Sequence, residues 1–256
     1  MHSYHIISHP CKPLVACNLI YHIFFMLQAI SLSKNYGSYQ ALNQLNLTVN
    51  PGEVYCLLGQ NGAGKTTTIN LFLGFIEPSN GKILIDNEEI SAGDDQRRKH
   101  LAYIPEVVML YGNLSAIENL DYFSKLAGFD YSEQELVQFL SNCGLQSTAH
   151  HKHLAGFSKG MRQKVGIAIA VAKNAKIILM DEPTSGLDPK ATAEFTELVK
   201  KLASEGKSIL MATHDIFNAV SLGTHIGIMK QGELVHTLKA SEISASDLQE
   251  LYLKTI

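Results

Sequence analysis

Eight consecutive residues, Gly59-Gln60-Asn61-Gly62-Ala63-Gly64-Lys65-Thr66, follow the spacing G-x-x-x-x-G-K-[ST], with Thr67 next in line. Glycines at these intervals let successive backbone N–H groups turn inward around phosphate oxygens. Lys65 can reach the outer phosphates as a point charge, and Thr66 can offer its hydroxyl to Mg²⁺. A second element is Ile177-Ile178-Leu179-Met180-Asp181-Glu182, an apolar run that ends in two carboxylates. Asp181 suits a divalent cation, and Glu182 suits a water that must be oriented or deprotonated. Alone, such a run is often just a strand end. Beside a phosphate-cradling loop it specifies hydrolysis of a nucleotide. A third element, Ile209-Leu210-Met211-Ala212-Thr213-His214-Asp215, places a histidine directly after another apolar run.

These residues need a scaffold that delivers them to one edge. Val54–Leu58 reads as a buried strand before the loop, and Lys65–Leu73 as the helix after it, whose positive end would face the same phosphates. Leu45, Leu47 and Val49 alternate as in a half-buried strand, and Asn50-Pro51-Gly52 is a turn. Lys82–Ile85, Leu101–Ile104, Ile177–Met180, Ser208–Met211 and His225–Met229 read as further strands, with Lys230-Gln231-Gly232-Glu233 turning into Leu234–Thr237. Asp188-Pro189 is a good N-cap and first-turn pair for a helix to about Glu205, and Asp247–Leu253 predicts a terminal helix. Between Pro105 and Ser158 the pattern changes. Ile117, Leu120, Phe123 and Leu126 recur at helical spacing, as do Leu136, Val137, Leu140 and Cys143. The expectation is an α/β core with a helical subdomain inserted at about residues 106–165.

The chain has 256 residues, 46% of them hydrophobic, enough for one substantial core with a small inserted lobe. Its formal charge is −3, and its densest basic cluster, Arg97-Arg98-Lys99, is flanked by Asp94 and Asp95, so nucleic acid is not the expected partner. Cys11, Cys17, Cys56 and Cys143 form no C-x-x-C pair, the usage of a reducing compartment. His150, His151 and His153 invite a zinc reading, but no carboxylate or cysteine accompanies them at ligand spacing. Residues 1–25 do not match the remainder. Leu14–Leu27 is largely apolar but short for a membrane span, which needs about 20 residues. Leu14-Val15-Ala16-Cys17 imitates a lipoprotein cleavage box, although the apolar region there follows the Cys instead of preceding it. The expectation is an extension upstream of a true start at Met26, with one domain over 26–256.

From about Leu27 to the C-terminus the chain resembles the ATP-binding cassette (ABC) ATPases, with several family motifs in family order. The resemblance implies an α/β, P-loop NTPase (RecA-like) core with the inserted helical subdomain and an N-terminal antiparallel β subdomain. It places Tyr36, in Lys34-Asn35-Tyr36-Gly37, where an aromatic stacks on adenine. It places Glu106, in Tyr103-Ile104-Pro105-Glu106, where the family has a glutamine. Phe157-Ser158-Lys159-Gly160-Met161 is similar to the family signature, with Ser158 and Gly160 as the matching positions and Lys159 and Met161 as departures. Ser185-Gly186-Leu187-Asp188 resembles the loop at the dimer junction, and His214 the switch histidine.

In that family the signature of one subunit faces the phosphate loop of another, so one chain holds two half-sites. The resemblance therefore implies ATP and Mg²⁺ as cofactors, a second ATPase subunit as homodimer or heterodimer, and a separately encoded transmembrane permease. It implies a peripheral position on the cytoplasmic face of the membrane. Lys65, Glu182 and His214 are the expected catalytic residues, and Thr66 and Asp181 the Mg²⁺ ligands. The variants at Glu106 and Ser158–Met161, with Gly186-Leu187-Asp188-Pro189, are most similar to exporter-type cassettes. Two alternatives stay open at this point: an ATPase acting on ribosomes or nucleic acid, and a regulatory nucleotide sensor.

Overall fold

The structure, a computed structural model, describes residues 25–90 and 98–256. The expectations for the extension before Phe25, with Cys11 and Cys17, and for Asp94, Asp95 and Arg97 lie outside those residues.

Long apolar runs with no polar alternation must be covered on both faces, and this sequence has three of them. Val54–Leu58 (β3), Ile177–Asp181 (β7) and Ser208–Thr213 (β8) are buried almost throughout. They lie side by side at the centre of a six-stranded sheet of order β10-β9-β3-β8-β7-β6, flanked by Leu101–Ile104 (β6), His225–Lys230 (β9) and Glu233–Lys239 (β10). All neighbours are parallel except β9 and β10, which pair antiparallel. The register sets Leu58 beside Thr213 and Asp181 beside Ala212, so three strands end level at one edge.

Alternate side chains of these strands enter different cores, as the pleat requires. Val54, Cys56, Leu58, Ile178, Met180, Ile209 and Met211 face one side. Tyr55, Leu57, Ile177, Leu179, Leu210 and Ala212 face the other. On the second side sit Lys65–Leu73 (α1) and a four-stranded antiparallel sheet of order β2-β1-β4-β5, built from Leu27–Tyr36 (β1), Tyr39–Val49 (β2), Asn80–Ile85 (β4) and Glu88–Glu89 (β5). Strand β1 was not legible in the sequence. Ser31 and Gln44 both take positive φ, and the β1–β2 register shifts between Ala29 and Leu32, which breaks the two-residue period. The chain is tied to the sheet from its first described residue. The Phe25 carbonyl accepts from Ser208 Oγ at 2.5 Å, and its ring stacks on His100.

The first side is covered by helices. Ala116–Leu126 (α2), Glu133–Asn142 (α3) and Lys159–Ala172 (α4) fall between β6 and β7, the first two where the helical spacing placed them. Both α2 and α3 begin with a capping box, Ser115 with Glu118 and Ser132 with Glu135, each contributing about 1 kcal/mol. Leu120, Leu136, Leu140 and Val165 join these helices into the same core as β7 and β8. Pro189–Ser204 (α5), Ile216–Leu222 (α6) and Ala245–Thr255 (α7) complete that side. Asp188 caps α5 through Ala191 N with Pro189 in its first turn, as expected. Helix α6 went unread, being only seven residues long. Cys56 and Cys143 are free and buried, and burial pushes both thiols up to about 12, so they behave as inert apolar side chains.

Candidate nucleotide site

The phosphate loop leaves β3 and enters α1 with its geometry set by two glycines. A Cβ on Gly59 would lie 2.8 Å from the Met229 carbonyl and 2.9 Å from Ala63 Cβ. Gly64 takes φ 108°, and a Cβ there would lie 2.9 Å from the Ala41 carbonyl. Any side chain at either position would distort the loop. Asn61, Gly62 and Ala63 form its crest, held by Ala63 N to Gln60 O at 3.1 Å and Gly232 N to Ala63 O at 2.9 Å. Lys65 is the first residue of α1 and is only 6% exposed. Its ammonium donates to Gly59 O at 2.6 Å and Gln60 O at 3.3 Å.

The carboxylates arrive from the neighbouring strands. Thr66 Oγ1 donates to Asp181 Oδ2 at 3.0 Å, joining α1 to the end of β7. Burial is the largest influence on the Asp181 carboxyl and raises it above the ordinary range. The Thr66 hydrogen bond and Lys65 oppose that rise, while the charges of Glu182 and Glu106 add to it. Glu182 follows with φ 45°, a strained conformation for a non-glycine residue, and its amide is fixed to Ala212 O at 2.9 Å. Its Oε1 lies 3.5 Å from Lys65 Nζ and has no hydrogen-bond partner. Its Oε2 meets His214 Nδ1 at 2.8 Å and the His214 amide at 3.2 Å.

These groups open into a cleft of about 390 Å³. Tyr36, Gly62, Gly64, Thr66 and Thr67 line it, with Glu106, Asp181 and Glu182 on its acidic wall. Lys34 Nζ sits 5.1 Å from the centre of the Tyr36 ring. Tyr39, which sequence reasoning missed, lines the same cleft and pairs with Tyr36 across the turn from β1 to β2. The only trace of it in sequence is its place three residues after Tyr36. The chemistry of Thr66 and Asp181 fits Mg²⁺: two hard oxygen donors 3.0 Å apart, one of them on a carboxyl whose charge is disfavoured first by burial and then by its acidic neighbours.

Ser158 and Gly160 are not brought to this cleft. Ser158 caps α4, its Oγ accepting from Met161 N at 3.3 Å, and both residues line a separate recess of about 240 Å³ with Leu187, Asp188 and Ala191. Of the three histidines before them, His150 is buried with Nε2 against Leu145 O at 3.0 Å, and His151 Nε2 lies 3.9 Å from Glu133.

A phosphate loop at the end of β3, two carboxylates at the end of β7 and a histidine at the end of β8 define a nucleotide hydrolase of the P-loop class. The model of the ABC transporter family matches residues 42–185, and the chain belongs to that family. It is 36% identical over 215 residues to the bacitracin transport ATP-binding protein BcrA of Bacillus licheniformis, covering 83% of this chain and 69% of that one. It is 33% identical over 227 residues to the lantibiotic transport ATP-binding protein SrtF of Streptococcus pyogenes, covering 89% and 96%. Among solved structures it is similar to the ATP-binding cassette MJ0796, a dimer in a post-hydrolysis state bound to ADP and Pi, with a TM-score of 0.74 and 28% identity over 84% of this chain and 98% of that one. The chain is an ATP-binding, ATP-hydrolysing subunit that powers a membrane ABC transporter. No described helix is long and apolar enough to cross a membrane.

Proposed function

We propose that this chain works as one of two ATPase subunits on the cytoplasmic face of an exporter, docked to a separately encoded permease. The observation that carries the dimer is that Ser158 and Gly160 line a recess of their own while Lys65 lines the nucleotide cleft. A complete site therefore takes these two residues from a second subunit, consistent with the dimeric relative. The outward direction is supported by a relative named for Nod factor export, beside those named for bacitracin and lantibiotic transport.

In this reading Tyr36 stacks on adenine, with Tyr39 beside it. The loop amides of Gln60, Asn61, Gly62, Ala63 and Gly64 and the N-terminus of α1 take up the phosphates. Lys65 exchanges the carbonyls of Gly59 and Gln60 for phosphate oxygens. Thr66 and Asp181 would hold Mg²⁺, which would supply charge neutralisation at those oxygens. Glu182 orients the attacking water and takes its proton, with His214 fixing the carboxylate by two bonds to one oxygen. Ser158 and Gly160 of the second subunit close the site from the far side. Most of the rate comes from positioning and charge, because phosphoryl transfer asks for little covalent chemistry from the protein.

Affinity purification from detergent-solubilised membranes tests the assignment. A multi-span membrane protein recovered with this chain supports it. Recovery of ribosomes or DNA-repair proteins in its place overturns it.

A further inference from the structure

Three carboxylates face the nucleotide cleft, those of Asp181, Glu182 and Glu106. Thr66 answers the first at 3.0 Å and Lys65 the second at 3.5 Å. Glu106 is answered from the helical side of the molecule. Ser185 Oγ donates to Glu106 Oε1 at 3.0 Å, and Lys159 Nζ stands 3.7 Å from the same oxygen. Lys159 is the first residue of α4, directly after the Ser158 cap. A cation is a poor local choice there, because the helix N-terminus is already positive and the first turn of α4 contains no acid. The acid that compensates it lies outside the helix. The backbone follows the same route, since Gln163 of α4 donates to Pro183 O at 2.9 Å and Glu106 O at 3.4 Å.

We infer that Glu106 and Lys159 are a matched charge pair, in which Lys159 is a positioning residue that holds the third carboxylate of the cleft away from the nucleotide phosphates and ties the start of α4 to the cleft wall. The inference rests on the assignment of the cleft as the nucleotide site. Loss of Lys159 alone frees a carboxylate in the cleft that Asp181 and Glu182 already line. Loss of Glu106 alone leaves an uncompensated cation at the N-terminus of α4. Loss of both restores neutrality. The two side chains are 29% and 52% exposed, so the effect is modest and screened by salt.

The test is equilibrium titration with methylanthraniloyl-ATP, at low salt and without divalent cation, of the wild type, Lys159→Gln, Lys159→Arg, Glu106→Gln and the Glu106→Gln/Lys159→Gln double variant. Lys159→Gln should weaken binding about two- to fivefold. Lys159→Arg and the double variant should bind like the wild type, and the defect should shrink at high salt. Wild-type affinity in Lys159→Gln, or a double variant as weak as Lys159→Gln, overturns the pairing. Failure of the cleft assignment looks different: the wild type itself would not bind the analogue, and Lys65→Ala would change nothing.

Discussion

Glu182 Oε2 accepts two hydrogen bonds from a single residue, His214, one from its ring at 2.8 Å and one from its backbone amide at 3.2 Å. The carboxylate is thereby fixed in position while Oε1 stays free of any hydrogen bond. Oε1 is buried and faces the Lys65 ammonium at 3.5 Å, so it would become available to a water only once Lys65 turns to the phosphates.

Glu182→Gln should keep the fold and the nucleotide affinity and slow ATP hydrolysis by about 10²-fold or more. Phosphate release and light scattering with ATP give the rate and the accumulated dimer. Hydrolysis at the wild-type rate would remove Glu182 from the reaction.

Lys65 is buried among Gly59 O, Gln60 O and Glu182. Lys65→Ala should weaken ATP binding about ten- to a hundredfold, the scale of charge-assisted hydrogen bonds. It also leaves Glu182 without its cation. Unchanged affinity in a fluorescent-nucleotide titration would contradict the phosphate-loop assignment.

Asp181 predicts a pH-dependent effect. Its carboxyl is raised in the folded chain, chiefly by burial, so the folded form holds that proton more tightly than the unfolded one. Stability from this group is therefore fully present below the ordinary Asp value and falls as pH rises through the raised one. Asp181→Asn keeps an oxygen for Thr66 without the charge. It should raise the melting temperature of the nucleotide-free protein at pH 7, and the gain should vanish towards about pH 4. A gain equal at both pH values would show that charge is not its cause. The same variant should lose the Mg²⁺ dependence of ATP binding.

Ser158→Ala removes a helix cap worth about 1 kcal/mol, which corresponds to a fall of about 2–4 °C in melting temperature for a chain of this size. Because Ser158 lies outside its own chain's cleft, monomeric binding of ATP should be unaffected while hydrolysis by the dimer falls. Weaker binding in a dilute monomer would place Ser158 in its own subunit's site instead.

The central strands were legible because burial on both faces leaves only apolar residues, and Val54–Leu58 has no polar interruption. The phosphate loop was legible from the spacing of its glycines and Lys65 alone, although the close approaches that require glycine at Gly59 and Gly64 come from distant parts of the chain, the carbonyls of Met229 and Ala41. Strand β1 was hidden by bulges, whose positive φ at Ser31 and Gln44 has no required residue type. Asn119 was hidden too. It is fully buried on an apolar helix face, where its amide accepts from Tyr111 N and donates to the carbonyls of Tyr111 and Ser115. The contact between Glu106 and Lys159 depends on how α4 packs against the end of β6, which no local pattern encodes.

Strands β3, β8 and β7 are adjacent, with Leu58 level with Thr213 and Asp181 with Ala212. The hydrogen-bond spacing of the sheet thus acts as a ruler. Two strand intervals of about 4.8 Å set the distance from loop to carboxylates at roughly 10 Å, with the histidine midway. A slip of β8 by one residue would turn His214 to the opposite face and push Met211 and Leu210 into each other's cores. The two cores on either side therefore calibrate the site, and drift in their packing residues is limited by catalysis as well as by stability.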